Sequence, residues 1–431
     1  MREIKSGDWE NLVQKIDFLD YTNQQLVLEG VTIEQILRNE QTPLFIFSRN
    51  RFNNNIAEIF SAFQRYFDDI QIAYALKANN QSDVLKNAMA NGCWAEVMST
   101  FEIELAQRIG FHPEAMIYNG PAKSMEELQD ALNRGVKCIN VDSFSELKDI
   151  ETIMRNLEAP KKDIPLQLGI RLHPNLDQGL EKRALVKKNS KLGLDPARAT
   201  KILKYAKKSN VLDISTLHIH IGTQQTTPEL HVGIANFAQK FITQLQKDNI
   251  HINTINLGGG FASRYRMEAA EYEIVDFAEK IHTALAPLKN SYSLILEPGR
   301  YLIGDAFVVL TKILREKKNW GRHWLLIDAG AHFLIPLRFS TFDVIPVKSG
   351  EPSTVKEIGG PLCLPVDRIQ GTVDFSAKEG DILAILNTGA YTISMSEQFG
   401  YPRPAIYAIE NGNIIQISRR ERIDDWLSLD I

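Results

Sequence analysis

Lys77 stands in the hexapeptide YALKAN, directly after an apolar, β-like run. A lysine pointing into a cavity mouth loses hydration, which lowers its pKa and frees the amine as a nucleophile for Schiff-base formation. Taken alone, the segment favours a solvent-facing lysine past a strand end. Gly258-Gly259-Gly260 follow the run TINL. Consecutive glycines let backbone N–H groups approach a phosphate and the next helix adds its dipole, although such a run can also be a tight turn. In Glu297-Pro298-Gly299-Arg300 a carboxylate and a guanidinium lie three residues apart. Either they pair with each other, or Glu297 holds a proton on a heterocyclic nitrogen while Arg300 meets a phosphate or a substrate carboxylate. His218 and His220 alternate along one face, but two histidines without a third ligand make a poor metal site. An imidazole stacked on a flat ring suits His220, and a packed core histidine suits His218. Cys363, in GGPLCLPVD, is a lone cysteine, a type more often inert and buried than reactive. Tyr391, in NTGAY, is uninformative by itself.

These residues need elements to position them. Eight strand candidates are spaced along residues 45–300, at 71–78, 93–99, 116–121, 138–143, 166–173, 216–222, 254–260 and 293–299. Helical patterns lie between them, as at 52–66, where Ile56, Ile59, Phe60 and Phe63 share a face. Ser99 with Glu102, Ser124 with Glu127 and Ser143 with Glu146 are spaced as capping boxes. Strand–helix alternation repeated eight times predicts an α/β fold, a (β/α)8 barrel, whose functional residues lie at the C-terminal ends of strands. Lys77, Glu96, His220, the glycine run, Glu297 and Arg300 all fall there. The glycines end the seventh strand, where barrel phosphate sites concentrate. Beyond residue 305, runs at 306–315, 323–328, 381–387 and 413–418 read as strands of an all-β barrel domain. The expected division is 1–40 as an N-terminal segment whose QQLVLEGVTI could join that β domain, 41–305 as the barrel and 306–431 as the β domain.

The chain has 431 residues, with 49 Lys and Arg against 53 Asp and Glu, a formal charge of −4. Hydrophobic residues make up 44% and charged residues 24%, which excludes a disordered, collagen-like or coiled-coil chain. The mildly acidic balance gives no electrostatic reason for a nucleic-acid or membrane partner. Three cysteines without a C-x-x-C spacing support neither a disulfide framework nor a zinc site, so no metal is expected. With no signal peptide and no run of membrane-spanning length, the expectation is a cytoplasmic protein.

Together YALKAN (74–79), KLGL (191–194), HIHIGTQ (218–224), NLGGGF (256–261), EPGR (297–300), GPLC (360–363) with Asp367, GAY (389–391) and ISRRE (417–421) resemble the diaminopimelate/ornithine decarboxylase family. These are fold-type III barrel enzymes that use pyridoxal 5′-phosphate (PLP), and the motifs run in family order from about residue 40 to 421. The resemblance implies that Lys77 carries PLP as an internal aldimine and His220 stacks on its ring. It places Glu96 and Gly299 with the cofactor and Thr223, Gly258, Gly259, Gly260, Arg300 and Tyr391 around the phosphate. Glu297 would pair with the protonated pyridine nitrogen. Cys363, from the partner subunit of a homodimer, would protonate the carbanion left by CO2. Arg300, Arg338, Cys363, Asp367 and Tyr391 are the implied substrate contacts.

Alanine racemases resemble the same barrel but set an arginine against the pyridine nitrogen, so a glutamate at 297 favours decarboxylation over racemisation. A non-catalytic PLP-binding protein on a bare barrel would lack both the β domain and Cys363. Two departures from the family bear on substrate. Leu364 and Pro365 follow Cys363 where diaminopimelate enzymes carry an acidic residue, and AHFLIPLRF (331–339) lacks the Arg-Pro pair that clamps a distal carboxylate. Losing such a clamp forfeits much of the discrimination a buried polar site supplies. GPLCLPVD and FGYPRP (399–404) look closer to secondary-metabolism and siderophore-pathway members. The expected substrate is therefore an amino acid carrying a large substituent, carrier-linked or citryl-type, with Arg338, His332 and Arg403 as candidates to replace the clamp. Diaminopimelate itself is the alternative.

Overall fold

The computed structural model describes residues 12–38, 40–156, 167–288, 292–335, 342–349 and 352–430. Eight parallel strands close into a barrel: Ile70–Ala75, Trp94–Val97, Met116–Tyr118, Cys138–Val141, Gln167–Arg171, Ile214–His218, Thr254–Asn256 and Ser293–Leu296. Each overlaps one of the eight runs read from the sequence. Closure occurs where Leu294 faces Ile70 and Leu296 faces Ile72 across the last and first strands. The strands are short apolar runs because both their faces are covered; Cys138–Val141 and Met116–Tyr118 are buried throughout. Ala73, Ile117, Cys138 and Ile295 form one buried cluster from four strands.

Helices packed outside the barrel follow their capping signals, with one systematic shift. Ser124 makes the full box, its Oγ accepting from Glu127 N–H at 3.2 Å while Glu127 accepts from Ser124 N–H at 2.9 Å. At Ser99 and Ser143 only the serine half matches expectation. Glu102 accepts instead from Met98 N–H at 2.8 Å and Glu146 from Asp142 N–H at 3.0 Å, one residue earlier. Both carboxylates are thereby drawn inward and buried. The helix expected at 52–66 runs from Arg49 to Gln64.

Among the described residues the β domain is built on a branched nine-stranded sheet. Its central strand, Phe307–Asn319, pairs antiparallel with Arg322–Ile327, Ile382–Leu386 and Leu44–Ser48. Leu44–Ser48 is entirely buried and also pairs, in parallel, with Ala405–Glu410. The chain accordingly divides into two compact units at other points than expected: Met1–Asn55, Ala78–Asp83 and Arg300–Ile431 form one, Ile56–Lys77 and Val84–Gly299 the other. Leu44–Ser48, inside the segment 41–305 expected as barrel, instead fills a central sheet position in the β unit. The N-terminal strands Leu19–Thr22, Gln25–Leu28 and Val31–Thr32 make their own three-stranded sheet within the β unit, joined to it by the bridge from Gln25 to Lys348, by Leu26 N–H donating to the Val347 carbonyl at 2.7 Å and by Ser349 N–H donating to the Gln24 carbonyl at 2.8 Å.

In the β unit Arg51 is fully buried between Asp305, at 2.8 Å, and Asp17, at 3.0 Å. Asn55 donates to Asp305 and to the Leu302 carbonyl, at 2.9 and 3.0 Å. This network anchors the short helix Arg300–Ile303 to the start of helix Arg49–Gln64. Among the described residues no helix is long and apolar enough to cross a membrane.

Candidate active site

In the barrel unit the candidate residues sit where strands end, as barrel geometry requires. Lys77 lies in the 3-10 turn Leu76–Ala78 just past the first strand, and its ammonium pairs with Glu96 of the second. Glu96 is almost wholly buried, whereas the Lys77 side chain keeps 31% of its surface open. Past the third strand, the Asn119 amide donates to Glu96 Oε1 at 2.8 Å and to Glu297 Oε1 at 3.0 Å. Asn256, closing the seventh strand, donates to the same Glu297 oxygen at 2.8 Å. His218 Nε2 lies 3.4 Å from Glu297 Oε2. Burial alone would raise the Glu297 carboxyl, but His218, Lys77 and Asn119 together hold it well below the usual carboxylate range. A buried carboxylate kept ionised by neighbours is a ready partner for a protonated ring nitrogen.

His220 accepts from Gly259 N–H through Nδ1 at 3.1 Å, which fixes a neutral ring with its proton on Nε2. Burial first, and the charge of Arg171 second, push its pKa down to about 3. The glycine loop is shaped by this histidine. At Gly258, φ is +63° and a Cβ would stand 2.6 Å from His220 Cβ; at Gly259 a Cβ would stand 2.3 Å from the Glu297 carbonyl oxygen. The glycines therefore serve close packing of three neighbouring loops as well as any anion. Two of their N–H groups are already used, Gly258 toward Asn256 Oδ1 at 2.9 Å and Gly259 toward His220. Among the described residues Gly260 N–H alone of the three makes no hydrogen bond. The helix that follows, Arg264–Glu268, has five residues, so the dipole expected there is slight. Thr223 is half-buried in the loop after the sixth strand, where Gly222 packs on Gly260.

Behind the loop, His231 donates from Nε2 to the Gly259 carbonyl at 3.0 Å and stacks on Phe261 at 4.3 Å. Neither His231 nor the trio Asn119, Asn140 and Asn256 was singled out by the sequence. The one available signal was position: Asn119 and Asn256 stand at strand ends, as Lys77 does.

In the β unit, Arg300 is buried at the start of its helix, with its guanidinium carbon 5.1 Å from the Tyr391 ring centre. Tyr391 holds a left-handed backbone, φ +60°, and its N–H reaches the Ala78 carbonyl at 2.7 Å. Such a backbone is strained for a tyrosine and marks a constrained position. Cys363 is exposed, unlike Cys93 and Cys138, whose thiols burial pushes up to about 12. Asp367, expected to meet substrate, is buried and accepts from Ala331 N–H at 2.6 Å and Leu362 N–H at 2.7 Å. Each oxygen accepts one backbone N–H, which ties the cysteine loop in shape. His332 is buried against Phe333, and burial lowers its pKa to about 4. Arg338 lies outside the described residues.

An amine, a buried ionised carboxylate and a neutral imidazole at adjoining strand ends suit PLP, which needs an aldehyde acceptor, a proton partner for its nitrogen and a flat face. The comparisons agree. The model of the pyridoxal-dependent decarboxylase family, pyridoxal binding domain, matches residues 53–304. A diaminopimelate decarboxylase of Aquifex aeolicus is 31% identical over 415 residues, covering 94% of this chain and 96% of the relative. One from Helicobacter pylori is 29% identical, covering 92% and 98%. Among solved structures, diaminopimelate decarboxylase from Methanocaldococcus jannaschii, in complex with L-lysine, superposes with a TM-score of 0.88 at 26% identity, covering 97% and 98%. The chain belongs to the pyridoxal-dependent decarboxylases. It is a PLP-dependent carboxy-lyase acting on an amino acid.

Proposed function

We propose that Lys77 is the amine that holds the cofactor, that Glu297 faces the pyridine nitrogen and that His220 lies against the ring. The observation that carries this reading is the ionised, buried Glu297 with Asn119, Asn256 and His218 converging on it. Bound PLP supplies an electron-poor ring that delocalises the charge left by departing CO2. The protein's part is to keep that ring protonated through Glu297, to hold Lys77 against Glu96 and to fix the His220 tautomer through Gly259. Gly260 N–H and Thr223 are proposed phosphate contacts, as are Arg300 with Tyr391. Gly299 shares the Arg300 turn. Cys363, exposed on a loop stiffened by Asp367, is the proposed proton donor to the decarboxylated carbon in a homodimer, and the proposed location is cytoplasmic.

For the substrate we propose an amino acid whose distal end is conjugated, because Leu364 and Pro365 replace the acidic residue after Cys363 and no Arg-Pro clamp follows Leu334-Ile335. A second reading, diaminopimelate, is favoured by the full-length similarity to diaminopimelate decarboxylases. Mass-spectrometric screening for CO2 loss decides between them. The first reading expects turnover of conjugated substrates and negligible turnover of meso-diaminopimelate; ordinary enzymatic rates on meso-diaminopimelate, at about 1–10³ per second, overturn it.

A further inference from the structure

We propose that Asn119 is a positioning residue that couples the two carboxylates of the site, its one amide donating to Glu96 and to Glu297 at once. The orientation of the amide is set from behind: Asn140 donates to Asn119 Oδ1 at 2.7 Å, so the oxygen is taken and both N–H bonds point at carboxylates. Asn119 thus links the group that holds Lys77 to the group assigned to the ring nitrogen, in the order Lys77, Glu96, Asn119, Glu297, His218.

Burial raises the Glu297 carboxyl, and the groups that favour its charged form, the Asn119 hydrogen bond among them, hold it down. Glu102 shows the opposite balance. Burial first, and the charge of Glu96 second, push its carboxyl up to about 7. Around the pair, Lys77, Arg171 and His218 favour ionised carboxylates when cationic, while Glu102 opposes them. Cys138, pushed up to about 12, stays a neutral thiol, and His220, lowered to about 3, stays a neutral imidazole. Asn119 is the neutral donor that serves both acids without adding charge.

This inference rests on the roles proposed for Lys77 and Glu297, so its test reads both. PLP-loaded wild type, Asn119→Asp and Asn119→Ser are titrated by the absorbance of the bound cofactor, and each is reduced with borohydride and peptide-mapped. Asn119→Asp keeps the shape but removes both donors and adds a charge; Asn119→Ser keeps one donor. We expect the acid-side midpoint to rise by about one pH unit or more in Asn119→Asp, a tenfold change in proton affinity, and by less in Asn119→Ser. The turnover number is expected to fall about tenfold in Asn119→Ser, with KM within about twofold. A purely structural role would lower Tm and leave the midpoint alone. Both variants folded and labelled at Lys77, with midpoints matching wild type, overturn the inference while sparing the functional reading. A wild-type label away from Lys77 overturns both. Should Asn119→Asp fail to fold, Asn119→Ser decides alone.

Discussion

Glu297 would be an expensive residue to bury alone, and its neighbours explain why it is tolerated: two asparagine amides and one histidine converge on a single carboxylate. Glu297→Gln keeps the shape and removes the charge. Without a carboxylate to hold the ring proton, the turnover number is expected to fall by about 10²–10³ with little change in KM, measured as CO2 release. A variant with near-normal turnover would remove Glu297 from the chemistry. Lys77, Glu297 and His220 were legible in the sequence because reactive side chains at strand ends are rare enough to notice. The asparagines were not, since an asparagine near a strand end is usually a turn residue. The backbone role of Asp367 was not legible either: a carboxylate near a cysteine signals chemistry by type, and only three dimensions show its oxygens accepting from Ala331 and Leu362 N–H groups.

Among the elements, strands and caps were the easiest to read. The eight barrel strands were found because they are short β-like runs, most of them largely apolar, alternating with helical patterns. Asp343–Pro346, Pro352–Gly359 and Arg368–Phe375 were missed because they carry proline, glycine or charge, and Ala405–Glu410 was missed although AIYAIE is apolar up to its last residue. Leu44–Ser48 was assigned to the wrong unit because sequence order says nothing of sheet order. The capping box at Ser124 makes a quantitative expectation: Ser124→Ala costs about 1 kcal/mol in urea unfolding, with activity retained. At the glycine loop the cost is steric. A Cβ at Gly259 would overlap the Glu297 carbonyl, so Gly259→Ala is expected to lose about 1–3 kcal/mol and to bind PLP more weakly, the latter read by equilibrium dialysis. Unchanged PLP affinity would mean that the loop tolerates displacement.

Across the whole molecule, buried charge and buried histidine set the response to mutation and pH. Asp305→Ala leaves the Arg51 guanidinium with its surviving partner, the half-exposed Asp17, and is expected to destabilise by about 3–5 kcal/mol in denaturant unfolding. His231 is neutral in the folded chain, its pKa lowered to about 4 by burial. The unfolded chain takes up that proton below its ordinary value of about 6.5 and the folded chain does not, so stability falls as pH drops from about 6.5 to 4. The share due to His231 is of order 3 kcal/mol, and His231→Gln should flatten the fall in Tm over that window. An equally steep fall in the variant would assign the acid sensitivity elsewhere. Every role proposed for the site depends on where the cofactor is held. Borohydride reduction of the PLP-loaded enzyme followed by peptide mapping reads this out: one reduced adduct is expected, on the peptide containing Lys77, and an adduct on another lysine, or none, would remove Lys77 as the anchoring amine.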